Sequence, residues 1–301
     1  MYRYLHVDVF TETRFEGNQL AVFPAPDGLT TPQMQRIANE MNFSETTFIF
    51  PPEGAGDVRM RIFTPGSELP MAGHPTIGST FALALEGTIA PGRDQFVFEL
   101  GVGPIPVSLE WRDNTLSFAW MTQLLPTFGT TIADRATFGT ALGVSASDLV
   151  DGRPVQMVSC GVPFLFAPLR TRAAVDAATI DRPTFKRVCR DADLDEQAVF
   201  LFTTDTAGAS SNETVYSRML APAFGIAEDP ATGGASGPLG CYLLRYGMVR
   251  EDAARKMVSL QGVAMGRPSR IHISIDSADG AITGVRVGGT SVLVGRGEIV
   301  V

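Results

Sequence analysis

The sequence predicts an α+β protein built from two structurally similar halves. Three observations carry that reading. Helix-like segments occur singly among runs of short strand-like segments, which is not the alternation of a parallel α/β fold. Thirty-one glycines and 20 prolines supply the turns that many short strands need. And one order of strand, proline, loop, polar residue and apolar helix occurs twice. The 301 residues, at roughly 150 per domain, also suggest two bodies, each able to bury a core. A hydrophobic fraction of 45% with 19% charged residues belongs to a globular chain without long disorder.

Residues 4–10 and 19–25 read as strands, separated by a polar, glycine-containing turn over 11–18. Thr31-Pro32 starts a helix, with a capping hydroxyl and proline at the first helical position. Met34, Ile37, Ala38 and Met41 follow at helical spacing. Strand character returns at 46–50 and 58–63. Pro75 opens a second helix over 76–85, apolar nearly all round and therefore expected to be buried. Strands follow at 95–100, 105–111 and 115–120. The pattern then restarts, with strands at 154–159 and 163–169, a helix from Asp181 with Pro183 in its first turn, and strands at 198–203 and 215–220. A glycine-rich helix over about 233–246 comes next, and a strand over 271–275 follows a polar loop.

The repeat aligns Val58-Arg-Met-Arg-Ile-Phe-Thr-Pro65, then Ala72-Gly-His-Pro-Thr76, with Val215-Tyr-Ser-Arg-Met-Leu-Ala-Pro222, then Glu228-Asp-Pro-Ala-Thr232. In this register His74-Pro75 stands opposite Asp229-Pro230. If the halves face each other, His74 and Asp229 flank one cleft and two helix N-termini point into it. Helix N-termini bind carboxylates through backbone N–H groups, and Gly73, Gly233 and Gly234 would let a ligand approach the backbone closely. His74 taken alone reads as a loop histidine bonded to backbone, and it is the repeat that raises the functional reading. Glu45, between the first helix and an apolar strand, is either a functional carboxylate or a cap in a solvated loop. Half-enclosed by phenylalanines, it suits a group that both takes and gives a proton near neutrality.

Other classes are excluded or disfavoured. Twenty-four basic against 32 acidic residues give a net charge of −8, wrong for a non-specific binder of nucleic acid or anionic membrane. No apolar run approaches the ~18–20 residues of a membrane span. No Gly-x-Gly-x-x-Gly follows the first strand, so a nicotinamide cofactor is not expected. Cys160, Cys189 and Cys241 are too scattered for a zinc site or a disulfide framework. Cys160 and Cys241 read as buried packing residues, and a cytoplasmic location is the expectation. His6 and His272 read as structural, Arg267 as a surface residue, and three distant histidines do not suggest a metal.

Phe15-Glu-Gly-Asn-Gln-Leu-Ala-Val22, Asn42-Phe-Ser-Glu-Thr-Thr-Phe48, Ala72-Gly-His-Pro-Thr-Ile-Gly78 and Glu228-Asp-Pro-Ala-Thr-Gly233 resemble the PhzF-like family of phenazine biosynthesis. Gln261-Gly262, Gly266-Arg-Pro-Ser269 and Val285-Arg-Val-Gly-Gly289 extend the likeness over essentially the whole chain. The resemblance implies the diaminopimelate-epimerase-like fold: two pseudo-symmetric halves, each a curled, mainly antiparallel sheet around a central helix. It implies an N-terminal half over 1–120 with final strands 290–301 returning to it, and a C-terminal half over 121–289.

It also implies a cofactor-independent isomerase of a small, cyclic carboxylic acid, acting by general acid/base catalysis, with no metal and as a homodimer. Glu45 would shuttle the proton, with His74 and Asp229 assisting. Ser44, Gly73, Ala231, Thr232, Gly233 and Gly234 would bind the substrate. Gly234 stands where the phenazine enzyme carries serine, a departure that bears on the substrate more than on the proton chemistry. Racemases of the same fold use a cysteine from each half at these helix entrances, and this chain has none there. A non-catalytic metabolite- or protein-binding relative and an epimerase are the alternatives.

Overall fold

The computed structural model describes residues 1–206 and 212–301. The chain divides into two compact units, Met1–Gln123 with Arg286–Val301, and Leu124–Val285.

The first unit holds β1 (Tyr2–Val9), β2 (Asn18–Phe23), α1 (Thr31–Met41), β3 (Glu45–Phe50), β4 (Val58–Phe63), β5 (Glu68–Leu69), α2 (Gly73–Leu85), β6 (Gln95–Leu100), β7 (Gly103–Arg112) and β8 (Thr115–Gln123). The second holds β9 (Thr127–Ile132), α3 (Arg135–Ala141), β10 (Val155–Ser159), β11 (Pro163–Pro168), α4 (Arg172–Ala177), α5 (Arg182–Asp191), β12 (Val199–Thr203), β13 (Val215–Ala221), β14 (Ile226–Asp229), α6 (Gly233–Arg245), β15 (Met257–Gln261) and β16 (Ser269–Ala278). β17 (Ala281–Gly289) leads out of it, and β18 (Ser291–Ile299) belongs to the first unit.

Pairing repeats from unit to unit. In the first, β1 is antiparallel to β18 and β2, β2 parallel to β3, β3 antiparallel to β4, β4 parallel to β6, and β6 and β7 antiparallel neighbours. In the second, β10 is antiparallel to β9 and β11, β11 parallel to β12, β12 antiparallel to β13, β13 parallel to β15, and β15 antiparallel to β16. The two parallel joints fall at the same places in both. Short strands β5 and β14 hang antiparallel on β4 and β13.

Each sheet curls around one thirteen-residue helix. α2 touches β1, β2, β3, β8 and β18, strands from both ends of its sheet, and α6 lies on β10, β11 and β16. Residues from Gly73 to Leu83 are buried without a break, as the unpatterned apolar composition requires. Glycine lets the helices approach their strands. A Cβ on Gly78 would lie 2.6 Å from both Leu20 Cδ2 and Val9 Cγ2, and one on Gly240 2.5 Å from Ile273 Cγ2. Both helices end alike. Gly87 and Gly247 turn left-handed at φ 79° and 60°, and Thr88 N and Met248 N each donate back to the Leu83 and Leu243 carbonyls at 2.9 Å. In the second unit, α3, α4 and α5 cover the opposite face of the sheet. Leu165, Val199 and Leu201 therefore point to them, and Phe166, Phe200 and Phe202 to α6.

Of the two central helices, α6 begins at Gly233 as expected, whereas α2 starts earlier than its proline suggested. α2 begins at Gly73, with Pro75 as its third residue, where a missing N–H costs nothing. This changes the register of the repeat. Glu68-Leu-Pro-Met-Ala-Gly73 now matches Glu228-Asp-Pro-Ala-Thr-Gly233, each running from the short strand to the first residue of the central helix. Thr76 and Ser236 confirm it, each hydroxyl donating to the carbonyl four residues back, Ala72 O at 2.8 Å and Thr232 O at 3.0 Å. His74 is the second residue of its helix, whereas Asp229 ends the strand before its helix. The two are not equivalent positions, because the alignment of His-Pro on Asp-Pro paired the wrong prolines.

The packing makes a graded stability prediction. Gly78→Val and Gly240→Val should each lower the unfolding free energy by about 1–3 kcal/mol. Gly234→Ala, whose Cβ would meet nothing nearer than Phe164 at 3.8 Å, should be neutral or stabilising by up to ~1 kcal/mol through helix propensity. Urea unfolding of the three variants checks the order.

Candidate active site

In the first unit the site grows from the start of α2. Ala72, extended at the N-cap, has no side chain to offer the first turn, so His74 and the backbone around it meet neighbours from the sheet. The parallel pairing of Leu20 with Glu45 sets the first residue of β3 beside β2. Glu45 Oε2 lies 3.1 Å from His74 Nδ1, with the two side chains 12% and 4% exposed. Asn18 Nδ2, from the first residue of β2, lies 3.3 Å from the same ring nitrogen. Beneath them Thr47 Oγ1 and Ser79 Oγ, 2.9 Å apart, bind β3 to α2. Ser44 is half-buried at the entry to β3, and Phe43 beside it stacks on His6, ring centres 4.6 Å apart.

Nδ1 thus has two neighbours with opposite demands. If the Asn18 amide donates to it, the contact with Glu45 needs a proton on the carboxyl. If Glu45 is ionised, Nδ1 carries the hydrogen and Asn18 presents its carbonyl. Either way, one proton lies on the Glu45–His74 axis. Burial favours the neutral imidazole. It pulls the His74 pKa down to about 3, against a hydrogen bond to the Gln19 backbone that works the other way.

In the second unit the corresponding loop is closed by Gln261, the fully buried last residue of β15. Its Oε1 accepts from Thr232 N at 3.1 Å, and its Nε2 donates to Asp229 O at 2.8 Å and Thr232 Oγ1 at 2.9 Å. Thr232 Oγ1 passes its own hydrogen to Asp229 Oδ2 at 2.6 Å. The Asp229 carboxylate is therefore oriented by a hydroxyl, and that hydroxyl by an amide. Ala231 is fully buried, Gly233 opens α6, and Gly234 follows with space beside it.

The expected residues thus fall into two clusters: Glu45, His74 and Gly73 in one unit, and Asp229, Thr232 and Gly233 in the other. Asn18 and Gln261 are the two that sequence reasoning did not assign. Each is a polar residue at the end of a strand and adjoins a left-handed glycine. Gly17 has φ 67° and Gly262 φ 76°, and a Cβ would come within 2.3 Å of Val9 O and 2.4 Å of Arg267 O respectively. That pairing of amide and obligatory glycine was the available signal. Cys160, Cys189 and Cys241 are buried free thiols. Among the described residues no helix is long and apolar enough to cross a membrane.

Comparisons place this geometry among known proteins. The family model of PhzC-PhzF, phenazine biosynthesis-like protein, matches residues 7–297. The chain is 36% identical over 298 residues to a trans-2,3-dihydro-3-hydroxyanthranilate isomerase of Pseudomonas aeruginosa, covering 99% of each. A phenazine biosynthesis protein of the PhzF family from Bacillus anthracis superposes with a TM-score of 0.88 at 26% identity, over 100% of this chain and 99% of that one. A probable proline racemase from Agrobacterium radiobacter shares the fold, with a TM-score of 0.67 at 13% identity over 100% and 93% of the two chains. The expected diaminopimelate-epimerase-like fold is the one observed, and the chain belongs to the PhzC-PhzF family of phenazine biosynthesis-like proteins, as one of its isomerases.

Proposed function

We propose that this isomerase moves a proton on a small cyclic carboxylic acid without a cofactor, and that Glu45 carries the proton. The contact of Glu45 Oε2 with His74 Nδ1 at 3.1 Å supports this reading most directly. A general base must hold a proton reversibly, and a neutral imidazole that can give or accept at Nδ1 provides the means. Glu45 takes a proton from an acidic C–H and returns it to another carbon, so that a double bond shifts with no net change in composition. His74 steadies the carboxyl between the two transfers. Asp229 orients the substrate and assists proton movement. Ser44, the backbone at Gly73, and the Ala231–Thr232–Gly233–Gly234 segment bind the substrate, its carboxylate taken up by helix N–H groups. The P. aeruginosa relative's substrate, trans-2,3-dihydro-3-hydroxyanthranilate, is the first to test.

Proton NMR in D₂O with that compound tests the reading. Wild type should place deuterium at a carbon position and produce a new olefinic spectrum, and Glu45→Gln should slow both by about 10²–10⁴-fold. Full turnover by Glu45→Gln would remove Glu45 from the mechanism. Inversion of a stereocentre in place of a double-bond shift would make the protein an epimerase.

The depressed His74 pKa also predicts how stability depends on pH. The unfolded chain binds this proton below about 6.5, whereas the native chain refuses it until about 3. Between those values the unfolded state holds more protons, so the contribution of His74 is complete above pH 6.5 and lost as pH falls toward 3. Urea unfolding of wild type and His74→Gln at pH 7.5, 5.5 and 4.5 should show the variant losing less stability on acidification. Parallel losses would contradict the assignment.

A further inference from the structure

The corrected repeat brings out a second conserved arrangement inside the molecule. Arg61 on β4 and Arg218 on β13 occupy matching places, four residues before Pro65 and Pro222. Each grips the glutamate of the short strand beside it with a two-pronged guanidinium. Arg61 Nε and Nη2 donate to Glu68 Oε1 and Oε2, both at 2.7 Å. Arg218 Nε and Nη2 donate to Glu228 Oε1 and Oε2 at 3.0 and 2.8 Å. Glu68 and Glu228 are themselves matching residues, five positions before the first residue of the central helix.

The anchors differ. Arg61 sends its remaining amino group to Thr31 Oγ1 at 3.0 Å, and its glutamate is open to solvent. Arg218 is buried and sends Nη1 to three carbonyls at the end of α4: Val175 O at 2.8, Asp176 O at 3.0 and Ala178 O at 2.9 Å. They lie at the C-terminal end of the helix, where carbonyls run short of helical donors, although Val175 O also accepts from Ala178 N at 3.3 Å. Arg218 therefore ties the end of α4 to β14 through five charge-assisted bonds, whose planar geometry a lysine cannot reproduce.

The residue after Glu228 is Asp229. β14 is only four residues long, and its pairing with β13 shifts register between Met219 and Ala221. Ladder bonds alone therefore hold it weakly. We propose that Arg218 is a positioning residue for Asp229, fixing β14 through the Glu228 fork so that the Asp229 carboxylate meets Thr232 Oγ1 and its main-chain carbonyl meets Gln261 Nε2. The functional part of this inference rests on the role proposed above for Asp229, while the structural part does not.

Hydrogen–deuterium exchange of Arg218→Lys and Glu228→Gln, followed by mass spectrometry, tests the clamp without a substrate. Glu228→Gln is nearly isosteric and guards against loss of folding in the lysine variant. Exchange in peptides covering residues 226–235 should rise at least tenfold in both variants, with β12 and β13 unchanged. Unchanged exchange at 226–235, loosening confined to α4, or a uniform rise across the unit would each overturn the clamp.

A double-mutant cycle with trans-2,3-dihydro-3-hydroxyanthranilate tests its consequence. Arg218→Lys should lower kcat at least tenfold in wild type and add little in an Asp229→Asn background, because both act on one carboxylate. Equal losses in both backgrounds would reject the positioning role. If Asp229→Asn alone kept wild-type turnover, the role proposed for Asp229 would fall, and the exchange result would still decide the clamp.

Discussion

A helix enclosed by its own sheet can place polar groups only where partners already exist. Nearly everything at the site follows from that constraint. Along α2 the hydroxyls of Thr76 and Thr80 bond back to the helix, and Ser79 bonds to Thr47 across the interface. The first turn is different, since no earlier turn lies before it to accept or donate. His74 stands there, nearly buried, and its ring needs sheet residues to answer it. β2 supplies Asn18 and β3 supplies Glu45. A neutral imidazole is the form that this enclosure permits, because an imidazolium would be stripped of water. The same burial that builds the core thus sets the protonation state on which the proposed proton transfer depends.

The second unit meets the constraint with other residues. Its helix entrance carries glycines where the first carries His74, so the polar function moves outward to Asp229 and is stabilised from the strand side by Gln261. Pairing pattern, helix length and glycine-terminated helix ends are common to both units. The side chains at the entrances are not. A duplicated scaffold with unlike entrances fits an enzyme that needs one group to hold a proton and another to orient a substrate.

Much of this was legible in the sequence, for physical reasons. An apolar run bounded by proline and glycine announces a buried helix, and the strands around it declare themselves by β-branched and aromatic residues at short spacing. Glu45, His74 and Asp229 stood out as polar groups at the edges of apolar segments. Asn18 and Gln261 did not. Their partners are 56 and 29 residues away, and amides carry no signature until a fold brings donor and acceptor together. The register of the repeat was hidden for a related reason. Proline marks a helix start only to within a turn, so His74-Pro75 and Asp229-Pro230 looked alike, whereas the glutamates that do correspond were unremarkable charges until each was seen in the grip of an arginine.

The central claim is that the Glu45–His74 pair holds one proton around a neutral imidazole. Nitrogen-15 NMR of the His74 ring tests it most directly, with the three histidine signals assigned by substituting His6 and His272 in turn. The account predicts that the His74 nitrogens keep the shifts of a neutral ring from pH 8 to pH 4.5, and that Glu45→Gln changes the Nδ1 signal. An imidazolium spectrum at pH 6, or an Nδ1 signal indifferent to Glu45→Gln, would contradict it.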